Sequence, residues 1–409
     1  MKTLIIAAAL GFVIASSPAA SGPAEAGHYR GGDDIASGPA MSGPATSGLA
    51  ASGPAEAGHY SGGDDTGHYG GGDDNGAAQQ DAHPIFTVGT AKAARGQKAY
   101  GVITVPAGVD PGYDIPVAVI HGARPGPVLA VLSGAHGTEY ASILAVQQLV
   151  EHKFDMERMA GTLILVPIVN VASFERLTPH VNPNDNKSMN SRYPGDMSGT
   201  QTDRASFVIT KEVVEQCDHL IDLHGGDLDE NLRPYSYWTV TGNAKQDALS
   251  REMILAFGLD HIIISDRPKD PKASRYLENT ASTRGKASFT AEAGRSGPVD
   301  MNDATMLSDG VLKVMGFLKM TSQAVVPVAK PVWIENVVTV SADQVGTFYP
   351  EVARDAHVAK GNRIGVVKDY LGRQLSEITA PDTGVILFVR ALPSLKKGDT
   401  IANIGVIKP

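Results

Sequence analysis

Short apolar runs alternate with amphipathic segments between about residue 83 and residue 324 of this chain. Apolar runs of about four to eight residues are typical of buried strands, and apolar positions three and four apart are typical of helices. The predicted strands are 128–132, 162–166, 219–223 and 262–265, and the predicted helices are 142–152, 204–217, 247–257 and 304–320. This alternation predicts an α/β fold with a mostly parallel mixed sheet and helices on both faces.

The pattern changes after residue 324, where short β-type runs are separated by glycine turns. Residues 358–365, Val-Ala-Lys-Gly-Asn-Arg-Ile-Gly, are echoed at an offset of 37 positions by residues 395–401, Leu-Lys-Lys-Gly-Asp-Thr-Ile. A repeat of this kind indicates paired hairpins. We therefore predict two domains, an α/β domain at 83–324 and a small all-β barrel or sandwich at 325–409.

The amino terminus has the composition of a signal peptide. Lys2 precedes an apolar stretch of twelve residues, 4–15, and small residues typical of a cleavage site follow it. The stretch is shorter than the roughly 20 residues that a membrane-spanning helix needs, and no other segment of the sequence approaches that length. We expect a cleaved signal peptide at 1–19 and a mature protein without a membrane span, periplasmic or secreted.

Residues 20–82 differ in composition from the rest of the chain. Glycine, alanine and proline dominate, and Gly-His-Tyr-x-Gly-Gly-Asp-Asp begins at residues 27, 58 and 67. Such a segment buries too little apolar area to fold, so we predict a disordered linker. It holds nine acidic residues and one basic residue, and so carries −8 of the net charge of −9. The remainder is close to neutral, which excludes the basic field of a nucleic-acid-binding protein.

Two short motifs at predicted strand ends contain residues that commonly bind metals. His136 and Glu139, in Gly-Ala-His-Gly-Thr-Glu, follow one strand, and Glu139 lies in the first turn of the next helix. His224 ends another strand, so the three side chains can converge. Two neutral imidazoles and one carboxylate suit one zinc ion and leave a coordination position open, as in catalytic sites. Asp222, on the same strand face as His224, is predicted to orient an imidazole.

Three motifs in this order resemble the succinylglutamate desuccinylase/aspartoacylase family: Gly-x-His-Gly-x-Glu at 134–139, Asp-Leu-His-x-Gly at 222–226 and Glu-x-Gly at 292–294. The resemblance covers about residues 95–409 and implies the fold of the zinc carboxypeptidases. The carboxyl-terminal part is similar to the barrel-sandwich hybrid of biotinyl and lipoyl domains, which is also found in this family. We interpret that part as a structural module that shapes the substrate entrance.

The resemblance implies roles for four further residues. Glu292 matches the catalytic glutamate, a general base that takes a proton from the zinc-activated water and returns it to the leaving nitrogen. In the Asn- and Pro-rich loop 170–195, Arg176 is similar to the arginine that polarises the scissile carbonyl. Asn190 and Arg192 are similar to the pair that grips the substrate carboxylate. The family has Asn-Arg-x-Phe-Pro-Gly here, whereas this chain has its arginine one position later.

Together these residues predict an exported, zinc-dependent hydrolase with a small-molecule substrate. We expect it to cleave the amide bond of an N-acyl amino acid or of a small peptide-like compound. One alternative is a metallocarboxypeptidase that acts on peptides or cell-wall fragments. Another, of a different class, is a zinc-free protein that binds a ligand in the same cleft.

Overall fold

The computed structural model describes residues 84–268, 270–295 and 299–407. The predicted signal peptide, 1–19, and linker, 20–82, lie outside the described residues. The strands are β1 Ile85–Val88, β2 Ala91–Ala94, β3 Gln97–Val105, β4 Tyr113–His121, β5 Arg124–Leu132, β6 Ala160–Val166, β7 His219–His224, β8 Glu230–Val240, β9 His261–Asp266, β10 Ala287–Arg295, β11 Val332–Ile334, β12 Val337–Ser341, β13 Gly346–Pro350, β14 His357–Val358, β15 Arg363–Lys368, β16 Gln374–Thr379, β17 Gly384–Arg390, β18 Ser394–Leu395 and β19 Thr400–Val406. The α-helices are α1 Tyr140–Glu151, α2 Val171–Glu175, α3 Gln201–Ile209, α4 Ala244–Phe257, α5 Leu277–Ser282 and α6 Met301–Phe317.

The largest sheet of the described chain has 13 strands, and its centre is parallel. Strands β6, β5, β7 and β10 lie side by side in one direction, and β9 runs parallel to β8. The predicted mixed α/β sheet is therefore present. The prediction that the sheet is mostly parallel is wrong for its flanks. There β3 and β4 on one side, and β8 with β17, β19 and β12 on the other, join through antiparallel pairs.

Successive strand residues point to opposite faces of this sheet, and each face has its own apolar core. Leu163 and Leu165 of β6 belong to a core that includes residues of α1, α4 and α6. Ile164 and Val166 of the same strand belong to a core that includes residues of α3 and α5. Because both faces of the central strands are covered, these strands are continuous apolar runs rather than alternating ones. Helices on both faces were predicted, and the two cores agree with that prediction.

All four predicted strands are present as β5, β6, β7 and β9, and the four predicted helices as α1, α3, α4 and α6. The π-helical turn Thr210–Val214 continues α3. Strand β8 was not predicted, since its sequence Glu-Asn-Leu-Arg-Pro-Tyr-Ser-Tyr-Trp-Thr-Val has no long apolar run. Among the described residues, no helix has the length and apolar content of a membrane-spanning segment.

Strands beyond residue 330 form two layers. Strands β16, β15, β13 and β18 make a separate four-stranded sheet, whereas β12, β14, β17 and β19 belong to the large sheet. One apolar core contains residues of both layers, among them Phe348 of β13 and Ile404 of β19. The sequence repeat falls on the turn between β14 and β15 and on the turn between β18 and β19. The large sheet continues into this part through the pair β17–β8.

A long loop between α2 and α3 is fixed to the amino end of α3 by partly buried polar contacts. The carboxylate of Asp185 accepts hydrogen bonds from the Thr200 hydroxyl at 2.7 Å and from the Thr202 amide at 2.8 Å. Arg204 of α3 is 1% exposed, donates to the carbonyl of Gly199 at 2.7 Å, and is paired with Asp110. The guanidinium thus connects this loop to the segment after β3.

Replacing Arg204 by Met should lower the free energy of unfolding by about 2–4 kcal/mol, because it removes a buried guanidinium with its hydrogen bonds and leaves the partly buried Asp110 carboxylate without its cation. Denaturant unfolding of both proteins would measure the difference. The control is Arg158→Met: the Arg158 side chain is 82% exposed beside Asp155. That change should cost less than about 1 kcal/mol. Equal costs for the two variants would contradict the role assigned to Arg204.

Candidate metal centre and active site

The candidate metal ligands lie where two adjacent parallel strands end. Strands β5 and β7 are neighbours, so their carboxyl ends meet at one edge of the sheet. His136 lies in the turn after β5, Glu139 is the residue that precedes α1, and His224 is the last residue of β7. Residues that are 85 positions apart along the chain are therefore brought together by strand order.

The three side chains form one compact group. Nδ1 of His136 lies 2.6 Å from Oε1 of Glu139, and Nδ1 of His224 lies 3.0 Å from Oε2 of the same carboxylate. Each residue offers a ligand atom, and these atoms lie within 4.8 Å of one another. The three residues are only 4–5% exposed.

Two glycines allow the backbone to approach this group. Gly134, in the turn before His136, has φ +67°, a conformation that residues with a Cβ rarely adopt. Gly225 follows His224, and its amide donates to Oε2 of Glu139 at 3.1 Å. A Cβ at Gly225 would lie 2.4 Å from the carbonyl oxygen of Ala293 on β10. The glycines of both motifs are thus required by geometry.

Asp222 lies beside His224, whose imidazole it was predicted to orient. It precedes His224 by two residues on β7, so both side chains point to the same face. Its Oδ1 lies 3.3 Å from Nε2 of His224, the ring nitrogen that faces away from Glu139. Asp222 is 2% exposed. A carboxylate behind a ligand histidine fixes its tautomer and ring orientation.

The electrostatics of the group keep the carboxylate of Glu139 ionised. Burial alone would raise the pKa of Glu139, but the imidazoles of His224 and His136 hold it well below its usual range. Burial alone would lower the pKa of His224, but the carboxylates of Glu139 and Asp222 raise it. Two nitrogens and one oxygen, closely spaced and screened from water, are a donor set that suits zinc.

Glu292 lies on the strand next to these ligands. It is on β10, in register with His224 on one side and with Tyr235 of β8 on the other. Burial raises the pKa of Glu292 well above its usual value, although His224 acts in the opposite direction. A raised pKa is typical of carboxylates that exchange protons near neutral pH. The structure thus brings Glu292 to the same cavity as the three candidate ligands.

His180, which sequence reasoning missed, also faces this cavity. Its ring centroid lies 6.2 Å from that of His136, and its Nε2 lies 2.9 Å from Oδ1 of Asp229. Nδ1 lies 3.3 Å from Oδ2 of Asp227. Burial alone would lower the pKa of His180, but the bond to Asp229 and the charge of Asp227 raise it to about 10. The signal available in the sequence was a histidine in the same Asn- and Pro-rich loop as the predicted substrate residues.

The two predicted arginines do not reach the cavity. Arg176 follows α2 and is exposed. The side chain of Arg192 is 40% exposed, and its Nε lies 3.8 Å from Oδ1 of Asp203 on α3. Asn190, in contrast, lines the cavity. The roles predicted for Arg176 and Arg192 therefore have no support from their positions, because the backbone buries Tyr193 and leaves Arg192 on the outer side of the loop.

The cavity has a volume of about 190 Å³. Besides the residues above, its described walls include Glu230, Glu278, Tyr235, Tyr237, Phe388 and Asn403. The last two lie on β17 and β19, so the carboxyl-terminal strands form part of the wall. Glu278 was not predicted, because it is an isolated acidic residue in a short segment of mostly small residues.

Residues 125–318 match the model of the succinylglutamate desuccinylase/aspartoacylase catalytic domain. Over these residues, the chain is identified with the succinylglutamate desuccinylase/aspartoacylase family. The resemblance inferred from the three motifs is thereby confirmed. All three motifs lie inside the matched residues.

One similar protein is the N-alpha-acetyl-L-2,4-diaminobutyric acid deacetylase of Halomonas elongata. It is 26% identical over 302 residues, which are 72% of this chain and 86% of the relative. A succinylglutamate desuccinylase from Silicibacter sp. TM1040 has a similar structure, with a TM-score of 0.68, 20% identity, and coverage of 76% of this chain and 95% of the other. The product-bound ectoine utilization protein EutE of Ruegeria pomeroyi has a TM-score of 0.69 and 22% identity, with coverage of 80% and 100%. The two structures establish the shared fold.

The ion pairs of His180 in this family member predict a pH-dependent stability. A histidine whose pKa is raised from 6.5 to about 10 on folding stabilises the protein fully below pH 6.5. That contribution is lost as the pH rises through the folded value. The stability difference between wild type and His180→Gln should therefore shrink between pH 6.5 and 10, by up to about 1.4 kcal/mol per pH unit.

Urea unfolding of both proteins at several pH values would measure this difference. His357→Gln, at an exposed strand position, serves as the matched control and should change stability little at any pH. A difference for His180→Gln that stays constant from pH 6 to pH 10 would contradict the assignment of a charged His180.

Proposed function

We propose that this protein is an exported, zinc-dependent hydrolase that cleaves the amide bond of an N-acyl amino acid. Membership in the deacylase family supports amide hydrolysis. The observation that carries the zinc assignment is the buried group of two imidazoles and one carboxylate beside a cavity. Export is proposed from the signal-peptide pattern of residues 1–19 alone.

His136, Glu139 and His224 would hold the ion, with Asp222 orienting His224. When bound, zinc supplies Lewis-acid chemistry that polarises a carbonyl and lowers the pKa of water. Glu292 takes the proton of the attacking water on its carboxylate and later delivers it to the leaving nitrogen. The walls of the cavity hold the acyl and amino-acid parts of the substrate and limit access of bulk water.

Arg176 and Arg192 do not bind the substrate carboxylate in this proposal, since neither residue lines the cavity. Among the described lining residues there is no arginine or lysine. A carboxypeptidase depends on such a grip for the terminal carboxylate of its substrate. An N-acyl amino acid carries a carboxylate as well, so the preference for this substrate over a peptide carboxyl end rests on the match to the deacylase family.

Removal of zinc should abolish turnover. Dialysis against a chelator should reduce hydrolysis of N-acetyl amino acids to background, and one equivalent of zinc should restore it. Elemental analysis of the purified protein checks the stoichiometry, and blocked dipeptides assayed in parallel check the carboxypeptidase alternative. Ligand binding that persists with no zinc and no turnover would instead identify a binding protein. Faster hydrolysis of the dipeptides would identify a carboxypeptidase.

Glu292→Gln should lower kcat by about 10²–10⁴-fold, because the amide side chain cannot accept the proton of the attacking water. Zinc content should stay at the wild-type level, since Glu292 is outside the proposed ligand set. Steady-state kinetics with metal analysis would test both points. Glu252→Gln, an exposed change on α4, is the control and should leave kcat unchanged. Full activity of the zinc-loaded Glu292→Gln protein would show that the base lies elsewhere.

A further inference from the structure

The cavity continues inward along the face of the sheet, away from the candidate ligands. In the outer row, His224, Glu292 and Tyr235 are paired in register on β7, β10 and β8. One row inward, Asp222, Thr290 and Tyr237 are paired in the same way. All six line the cavity. Rows on one face are two residues, or about 6.6 Å, apart along the strands.

Glu278 of α5 closes the inner end of this channel. Its carboxylate accepts hydrogen bonds from the hydroxyls of Thr239 at 2.9 Å and Ser288 at 3.2 Å. Thr239 lies two residues inward from Tyr237 on β8 and also lines the cavity. Glu278 is 4% exposed, so its carboxylate has little contact with water. Its side-chain partners in the described chain are hydroxyls, and an ionised carboxylate at this depth is costly without a cation.

The two ends of the cavity differ in how their carboxylates are neutralised. At the outer end, Glu139 faces two imidazoles, and Asp229 faces His180. At the inner end, burial and the charge of Asp222 raise the pKa of Glu278 to about 7. None of the described residues lining the cavity is a lysine or an arginine. The inner end is therefore electronegative and lacks a protein cation.

An independent observation indicates a ligand that donates hydrogen bonds. The Oδ1 atom of Asn190 is buried and has no hydrogen-bond partner among the described residues. Asn190 also lines the cavity. A buried acceptor without a donor costs free energy unless a ligand supplies one. An N–H group of a bound substrate would satisfy it.

We propose that the inner end of the cavity is a specificity pocket for a cationic amine of the substrate, with Glu278 as the specificity-determining residue. This inference rests on the proposed function and specifies its substrate class: N-acyl amino acids whose side chain carries an ammonium group. The ammonium would donate to the carboxylate of Glu278 and supply the missing cation. A substrate with an acidic side chain would be repelled by Glu278 and Asp222.

The test compares kcat/KM of the zinc-loaded full-length protein for four substrates: Nα-acetyl derivatives of lysine, ornithine, norleucine and glutamate. The ammonium substrates should exceed norleucine by at least about tenfold, and glutamate should be the poorest. In Glu278→Gln this preference for ammonium over norleucine should fall to nearly one. Glu278→Asp, which keeps the charge, should restore part of it. Equal rates for lysine and norleucine derivatives in the wild type, or an unchanged preference in Glu278→Gln, would overturn the proposal.

Binding of free L-lysine and L-norleucine, measured by calorimetry, separates this inference from the proposed function. If no N-acyl compound is hydrolysed but lysine binds more tightly than norleucine and loses this advantage in Glu278→Gln, the amine pocket stands and the hydrolase assignment fails. If the N-acyl compounds are hydrolysed and lysine has no advantage in either assay, the hydrolase assignment stands and the amine pocket is wrong. Should Glu278→Gln fail to fold, the wild-type preferences and Glu278→Asp decide.

Discussion

The site depends on one carboxylate held between two imidazoles. Glu139 contacts His136 with one oxygen and His224 with the other, and its position before α1 is set by the turn that leaves β5. This contact connects the ends of two parallel strands that are adjacent only because of the order of strands in the sheet. A chain with the same two motifs on strands that are not neighbours could not bring these groups together.

Different strands supply the side chains that surround this contact. Strand β7 carries both His224 and Asp222, so the orientation of the imidazole is fixed by a residue of the same strand. Strand β10 supplies Glu292, and β8 supplies the tyrosines of the wall. Strands thus position the candidate ligands and Glu292, while loops and carboxyl-terminal strands shape the space around them.

The sequence predicted most of the central elements and the proximity of three side chains at the strand ends, because apolar runs and strand-end histidines are local signals. His136 and Glu139 follow the buried strand β5 and His224 ends the buried strand β7, so all three could be located from apolar runs. Strand β8 was missed since its alternate residues face a polar cavity, which breaks the apolar pattern that marks buried strands. Arg192 could not be placed, because whether it faces the cavity depends on the partner that Asp203 offers across the loop. Glu278 and His180 were missed for the same reason, because their positions in the cavity depend on contacts with residues far away in the sequence.

Phe388 and Asn403 belong to strands that follow Glu292 by about a hundred positions, yet they form part of the cavity wall. The large sheet runs through β8 into β17 and on to β19, so the strands that carry these two side chains are hydrogen-bonded into the same sheet as the central strands. Variation in the carboxyl-terminal hairpins could thus alter the shape of the chamber while leaving the chemistry untouched. Exchange of this segment between relatives is a route by which evolution, or an engineer, could redirect the enzyme to new compounds.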